Sequence, residues 1–170
     1  MRVSAKADYA VRAALELAAA TGARPLKREQ ISTAQGIPSK FLETIMLELK
    51  HAGIVKSTRG AEGGYALARP AEDISVADVI RAVDGPLANV RGERVESVEY
   101  DGAASSLREL WVSVRASLRN VLESTSLQDV VDGELPERVR ELTDDPEAWI
   151  SLNRRRRSPA SVGDSAADDH

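Results

Sequence analysis

Ser39, Lys40, Phe41 and Glu43 open a predicted helix, and Arg59 with Gly60 sits in the glycine-rich turn that follows it. These residue types suit the reading of nucleic acid. A serine hydroxyl donates or accepts, a lysine reaches phosphate or guanine acceptors, and a glutamate accepts from a cytosine amino group. An arginine entering a narrow minor groove meets enhanced negative potential. Glu43 is equally suited to the helix dipole, and the residues leave both roles open. Lys27 and Arg28 open the preceding helix, where phosphate contacts would set register without reading sequence. Catalytic groupings are missing. His51 and the terminal His170 are the only histidines, and the acidic pairs Glu72-Asp73 and Asp144-Asp145 stand in loops without partners. There is no Walker loop, no GxGxxG and no metal-ligand spacing. The chain has no cysteine, which excludes disulfides and thiolate metal sites. The expectation is a non-enzyme with no metal and no cofactor.

The elements that must position these side chains are legible from periodicity and punctuation. Ser4 caps a first helix to about Ala20, with Ala7, Val11, Ala14, Leu15 and Ala18 at helical spacing and Gly22 and Pro25 closing it. Lys27 to Gln35 reads as a second helix ending at Gly36. After Ile37-Pro38 a third helix runs from Ser39 to Ala52, with Leu42, Ile45, Met46 and Leu49 inward and Gly53 in the left-handed position past its end. Ile54–Thr58 and Tyr65–Leu67 then flank Gly60, Gly63 and Gly64, a hairpin signal. Helix, glycine turn, helix and hairpin outline a winged helix–turn–helix, in which a helix fills a major groove while the wing reaches a neighbouring minor groove. Ser75 with Asp78 starts a further helix through Ala82 or Val83. The glycines of the hairpin are expected to serve positive φ in the turn.

Beyond this first unit (residues 1–84), residues 85–103 read as a connector. Leu107, Leu110, Trp111, Val114, Leu118, Val121 and Leu122 then place one apolar face along a long helix. That face is too long to pack only on a small winged unit, so helix pairing between two copies is the expected burial. Residues 104–142 hold this dimerisation helix and short helices after it. From residue 143 the chain turns polar, and 143–170 reads as a disordered tail. Its run Arg154–Arg157 could add phosphate contacts. The fold class is therefore mainly α with a small β-hairpin wing, a winged helix–turn–helix plus a long C-terminal dimerisation helix.

The totals bound this reading. The chain has 170 residues, a net charge of −4, 42% hydrophobic residues and only 4% aromatics, so its core is aliphatic. Residues 1–84 carry 12 Lys/Arg against 10 Asp/Glu, and residues 85–170 carry 11 against 17. Nucleic-acid binding needs local basic positions, not a basic whole. Met1-Arg2-Val3 leads straight into an amphipathic pattern, and no apolar run approaches the roughly 20 residues that span a membrane. A cytoplasmic protein without a membrane partner is expected.

One set of residues is distinctive in combination: Tyr9-Ala10, Phe41-Leu42-Glu43, Leu49 with Ala52-Gly53, Ser57-Thr58-Arg59-Gly60, Gly63-Gly64-Tyr65, Ile74, Val79-Ile80 and Ala82-Val83-Asp84. In these the chain resembles the Rrf-type family of bacterial winged-helix regulators, which includes IscR-, NsrR- and CymR-like members. The likeness continues more loosely through Leu110-Trp111 and Ser126-Leu127, to about residue 132. It implies a homodimeric transcription factor, usually a repressor, on a palindromic operator in double-stranded DNA. It maps base reading onto Pro38, Ser39, Lys40, Phe41 and Glu43, the wing arginine onto Arg59, and dimerisation onto Leu107–Leu122. Cluster-binding members carry three cysteines in the connector. Here the segment from Asn89 to Ser106 has none, and the histidine that can complete the ligand set falls at Arg108. The resemblance is thus to the cluster-free branch, typified by a repressor of cysteine metabolism, which can act through a metabolic-enzyme partner or a small-molecule effector. Two other readings stay open: a small-molecule sensor that closes the 85–106 connector over its ligand, and a winged module that binds a protein.

Overall fold

The structure, a computed structural model, describes residues 3–20 and 24–150. The Gly22 stop, the Arg154–Arg157 run and the 151–170 part of the tail lie outside the described residues. Helices α1 (Ala5–Ala19), α2 (Arg28–Gln35) and α3 (Ser39–His51) lead into an antiparallel hairpin, β1 (Val55–Thr58) and β2 (Gly64–Leu67). Then follow α4 (Val76–Asp84), a small hairpin β3 (Asn89–Val90) and β4 (Glu93–Arg94), and helices α5 (Leu107–Leu122), α6 (Leu127–Asp132) and α7 (Glu137–Asp144). The fold is mainly helical with one small wing. No helix among the described residues is long and apolar enough to cross a membrane.

Local chemistry sets the ends of these elements. The Ser4 hydroxyl accepts from the Ala7 amide at 2.9 Å, and Ser75 with Asp78 forms a reciprocal capping box. Ser126 with Asp129 does the same for α6. Gly36 (φ 61°) ends α2, and Gly53 (φ 70°) follows α3. These left-handed positions favour glycine and turn the chain sharply, from α2 into α3 at Gly36 and from α3 into β1 at Gly53.

The core is built around α1. Its Ala7, Ala10, Ala13 and Ala14 are all buried, and with no bulk beyond Cβ they let α3, α4 and α6 approach closely. Ile31, Leu42, Ile45, Met46, Leu49, Ile74, Val79 and Leu127 fill the space around them. The four inward positions predicted for α3 are the four that are buried. The predicted face of α1 is rotated, because Ala10, Ala13 and Leu17 are buried while Val11, Leu15 and Ala18 are half-buried. Alanines carry little hydrophobic contrast, so periodicity could not tell which alanine stripe faced inward.

Two features depart further from the sequence reading. The core does not stop at residue 84: the Leu127 amide donates to Ile74 O at 2.9 Å, the Val76 amide donates to Thr125 O at 2.9 Å, and the Leu127 side chain is fully buried. Helix α5 is thus a long excursion from which the chain returns to complete the first unit. The described part of the stretch expected as a tail, residues 143–150, carries regular structure. Helix α7 runs to Asp144, a 3-10 turn covers Pro146–Trp149, and Trp149 Nε1 donates to Thr143 O at 2.7 Å.

The wing is anchored by a contact that the sequence reading missed. Leu26 and Tyr65 exchange two backbone hydrogen bonds at 2.8 Å, so the segment before α2 adds a third strand-like rung to the hairpin. A Cβ on Gly64 would meet Leu26 O at 2.5 Å, and one on Gly63 would strike Thr58 O. Of the three turn glycines only Gly60 has positive φ, at 108°. The other two are required by lack of space, which corrects the conformational role expected for them. Gly64→Ala should therefore destabilise the protein by about 1–3 kcal/mol, the usual cost of overpacking against unyielding atoms. Urea denaturation measures this, and an unchanged midpoint would show that the rung is dispensable.

Candidate nucleic-acid interface

The side chains of α3 divide cleanly. Leu42, Ile45, Met46 and Leu49 point into the core, while Ser39, Lys40, Glu43, Thr44, Leu47 and Lys50 are exposed on the opposite side. A cleft of about 470 Å³ separates this outer face from the wing, lined by Lys40, Glu43, Thr44, Leu47, Lys50 and Ser57 among others. Thr44, Leu47, Lys50 and Ser57 were absent from the sequence-based site. The signal for the three on α3 was available, since they are the helical complement of the inward positions.

The predicted site residues are placed as follows. Ser39 and Lys40 are exposed in the first turn of α3. Phe41 is 50% exposed, with its ring edge-on to Tyr9 at 6.0 Å. The Arg12 guanidinium lies 5.6 Å from the centre of the same Tyr9 ring. Phe41 thus braces α3 against α1, and its exposed half remains on the outer surface. Glu43 lies 3.4 Å from Arg28. Arg28 is also 3.5 Å from Glu29, and its Nε is buried without a partner. This pair bridges the two helices of the helix–turn–helix. Arg28 is therefore largely engaged within the protein, and Glu43 combines a positioning role with an exposed carboxylate. Lys27 precedes α2, where its backbone amide donates to Gln30 Oε1 at 2.8 Å, leaving its side chain exposed. Arg59 and Gly60 are exposed at the wing turn.

The electrostatics separate this face from the opposite side. Among the described residues, ion pairs occupy Lys6, Arg69, Arg81, Arg115 and Arg119. None involves Lys27, Lys40, Lys50, Lys56 or Arg59. The cations of the outer helix face and wing are therefore available to a polyanion, despite the net charge of −4. The scaffold behind them is tied by Lys6, whose Nζ donates to Glu48 Oε1 of α3 and to Val83 O of α4, both at 2.8 Å. Lys6→Met should cost about 1–2 kcal/mol, because Glu48 and a helix-terminal carbonyl lose a charged donor that is two-thirds shielded from water. Thermal unfolding followed by circular dichroism reads this loss, and an unshifted transition would refute it.

The residues expected to mediate dimerisation lie together along α5. None of them is fully buried: Leu107, Trp111, Val114, Leu118, Val121 and Leu122 are half-buried, and Leu110 is 52% exposed. The indole Nε1 of Trp111 is shielded from solvent without a hydrogen-bond partner.

The Rrf2 family model, described as an iron-dependent transcriptional regulator, matches residues 3–133. An HTH-type transcriptional regulator of Mycobacterium tuberculosis is 49% identical over 151 residues, covering 89% of this chain and 94% of the relative. Among solved structures, CymR of Bacillus subtilis, described as its global cysteine regulator, superposes with a TM-score of 0.67 at 33% identity, covering 78% of this chain and 98% of that one. IscR of T. potens gives 0.61 at 34% identity, covering 89% and 93%. The iron in the family's description does not fit the donors of this chain. There is no cysteine anywhere in it, and among the described residues no group of three His, Cys, Asp or Glu is arranged to hold a metal. In the connector the Glu96 carboxylate is engaged by Arg115.

Proposed function

Because this chain belongs to the Rrf2 family of transcriptional regulators, we propose that it is a homodimeric repressor that occludes a promoter by binding a palindromic operator without an iron–sulfur cluster. The observation that carries this reading is the outer face of α3 and the wing, where Lys40, Lys50, Lys56 and Arg59 stand exposed and form no ion pair among the described residues. Ser39, Lys40 and Glu43 would meet base edges in the major groove, Phe41 would line the protein side of that contact, and Arg59 would enter the minor groove with Gly60 allowing close approach. Lys27 would hold a phosphate, as Arg28 would with whatever donor capacity its carboxylate partners leave free. The incompletely covered face of α5 supports pairing through that helix, which would set two reading heads about one DNA turn apart or a multiple of it. Control of sulfur or cysteine metabolism is suggested by the similarity to the Bacillus subtilis cysteine regulator.

The test is a salt titration of binding to DNA taken from upstream of the protein's own gene, read by fluorescence anisotropy. With two subunits each using several free cations, affinity should fall by about 10³-fold or more between 50 and 200 mM salt. A flat profile would remove phosphate contacts from the mechanism. A protein-docking role for the wing has weaker support, because the hairpin carries Lys56 and Arg59 against a single carboxylate, Glu62, which pairs with Arg24 at 3.6 Å.

A further inference from the structure

Between α4, β4 and α5 lies a second, open cavity, of about 490 Å³, lined by residues 85–88 and by Arg81, Arg94, Glu96, Arg115 and Arg119. Four guanidiniums from three separate elements converge here, and the local carboxylates do not balance them. Glu96 accepts from Arg115. A single oxygen of Glu123 accepts from both Arg81 and Arg119, the latter at 3.0 Å. Asp78 approaches Arg81 only to 4.0 Å and is already paired with Arg69 at 3.2 Å. Arg94 has no ion pair among the described residues. The cavity lining thus holds Arg81, Arg94, Arg115 and Arg119 with Glu96 as its one carboxylate, and counting Glu123, which pairs with Arg81 and Arg119 from outside the lining, still leaves an excess of two positive charges. The Glu123 carboxyl is held below its usual range, chiefly by the hydrogen bonds from Arg81 and Arg119. That of Glu96 is lowered by a backbone hydrogen bond and then by Arg115.

Like charges gathered along one open site repel one another, and planar guanidinium forks match carboxylate and phosphate oxygens in pairs. The volume is that of a small-ligand site. We infer that this cavity binds a small metabolite bearing two negative charges, either a phosphorylated compound or a dicarboxylate, and that its occupancy couples α4 to α5. Helix α4 belongs to the winged unit, where Val79 and Val83 are in the core, and α5 is the pairing helix of the reading above. An anion that draws Arg81 and Arg94 toward Arg115 and Arg119 would change the angle between these helices and so the separation of the two reading heads. The coupling half of this inference rests on the proposed DNA-binding dimer, whereas the binding half does not. An effect on DNA affinity requires only that the ligand favour one separation over the other.

Isothermal titration calorimetry on the full chain, at fixed ionic strength, tests the site with inorganic phosphate, glycerol 3-phosphate and succinate, against acetate and chloride as monoanion controls. Saturable binding of a dianion is expected, and a phosphate or a succinate preference identifies its source. Arg94→Gln removes the unpaired cation and leaves no carboxylate stranded, so it should weaken binding about tenfold or more without shifting the melting temperature. Absence of saturable heat with every dianion, or equal affinity in Arg94→Gln, would overturn the site. Dianion binding that leaves operator affinity unchanged would overturn the coupling alone. A chain that binds dianions through Arg94 but ignores every duplex would sink the repressor reading while the site stood.

Discussion

Leu110→Glu should convert the protein to single subunits and lower operator affinity by about 10²-fold or more. Leu110 is 52% exposed on α5, so a carboxylate there is solvated in the isolated chain and disturbs little of its own packing. In a paired assembly the same carboxylate would be carried into an apolar helix–helix contact, where an unpartnered charge is costly. Loss of pairing would leave each reading head to bind a half-site alone. The avidity of two linked contacts, commonly worth 10²–10⁴-fold, would disappear. Sedimentation velocity should report half the assembled mass, and circular dichroism should report an unchanged melting transition. A variant that keeps its assembled mass would show that the Leu110 side of α5 is not where two copies meet.

Arg59→Ala should weaken operator binding about 10–100-fold while leaving assembly and stability intact. That range corresponds to the roughly 1–3 kcal/mol carried by a single well-placed arginine contact to DNA. Arg59 is exposed and makes no ion pair among the described residues, so its removal strands no partner in the free protein. The neighbouring Gly60 has a φ of 108°, which fixes the turn independently of the arginine side chain. Anisotropy measurements at one salt concentration, with wild type and variant side by side, decide the matter. Equal affinities would take the wing out of recognition and leave α3 as the sole reading element. Arg59→Lys adds a discrimination: if only charge matters, it should recover most of the loss, and if the guanidinium plane matters, it should not.

Much of this molecule is legible along the chain, because the relevant signals are local. The inward set of α3 is a run of large aliphatic side chains at helical spacing, and all four are buried. Ser75 with Asp78 and the turn at Gly53 depend on neighbouring backbone atoms, and they stand as the spacing predicts. The α1 stripe was less legible, because one alanine face differs little from the next in hydrophobic contrast. The Arg28–Glu43 pair was hidden for another reason. Each residue is ordinary on its own helix, and only the turn between α2 and α3 brings them to 3.4 Å.

The order of residues alone decided which segments become helices, where they stop, that a glycine-rich hairpin follows the third helix, and that thiolate iron chemistry is closed to this chain. Those outcomes depend on interactions within a few residues or on composition. Only the folded chain decided that Leu127 completes the first unit's core, that Gly64 must yield to the Leu26 carbonyl, and that arginines from α4, β4 and α5 surround one cavity. Each of these joins segments far apart in sequence, and no local pattern encodes a distance that only packing around α1 sets.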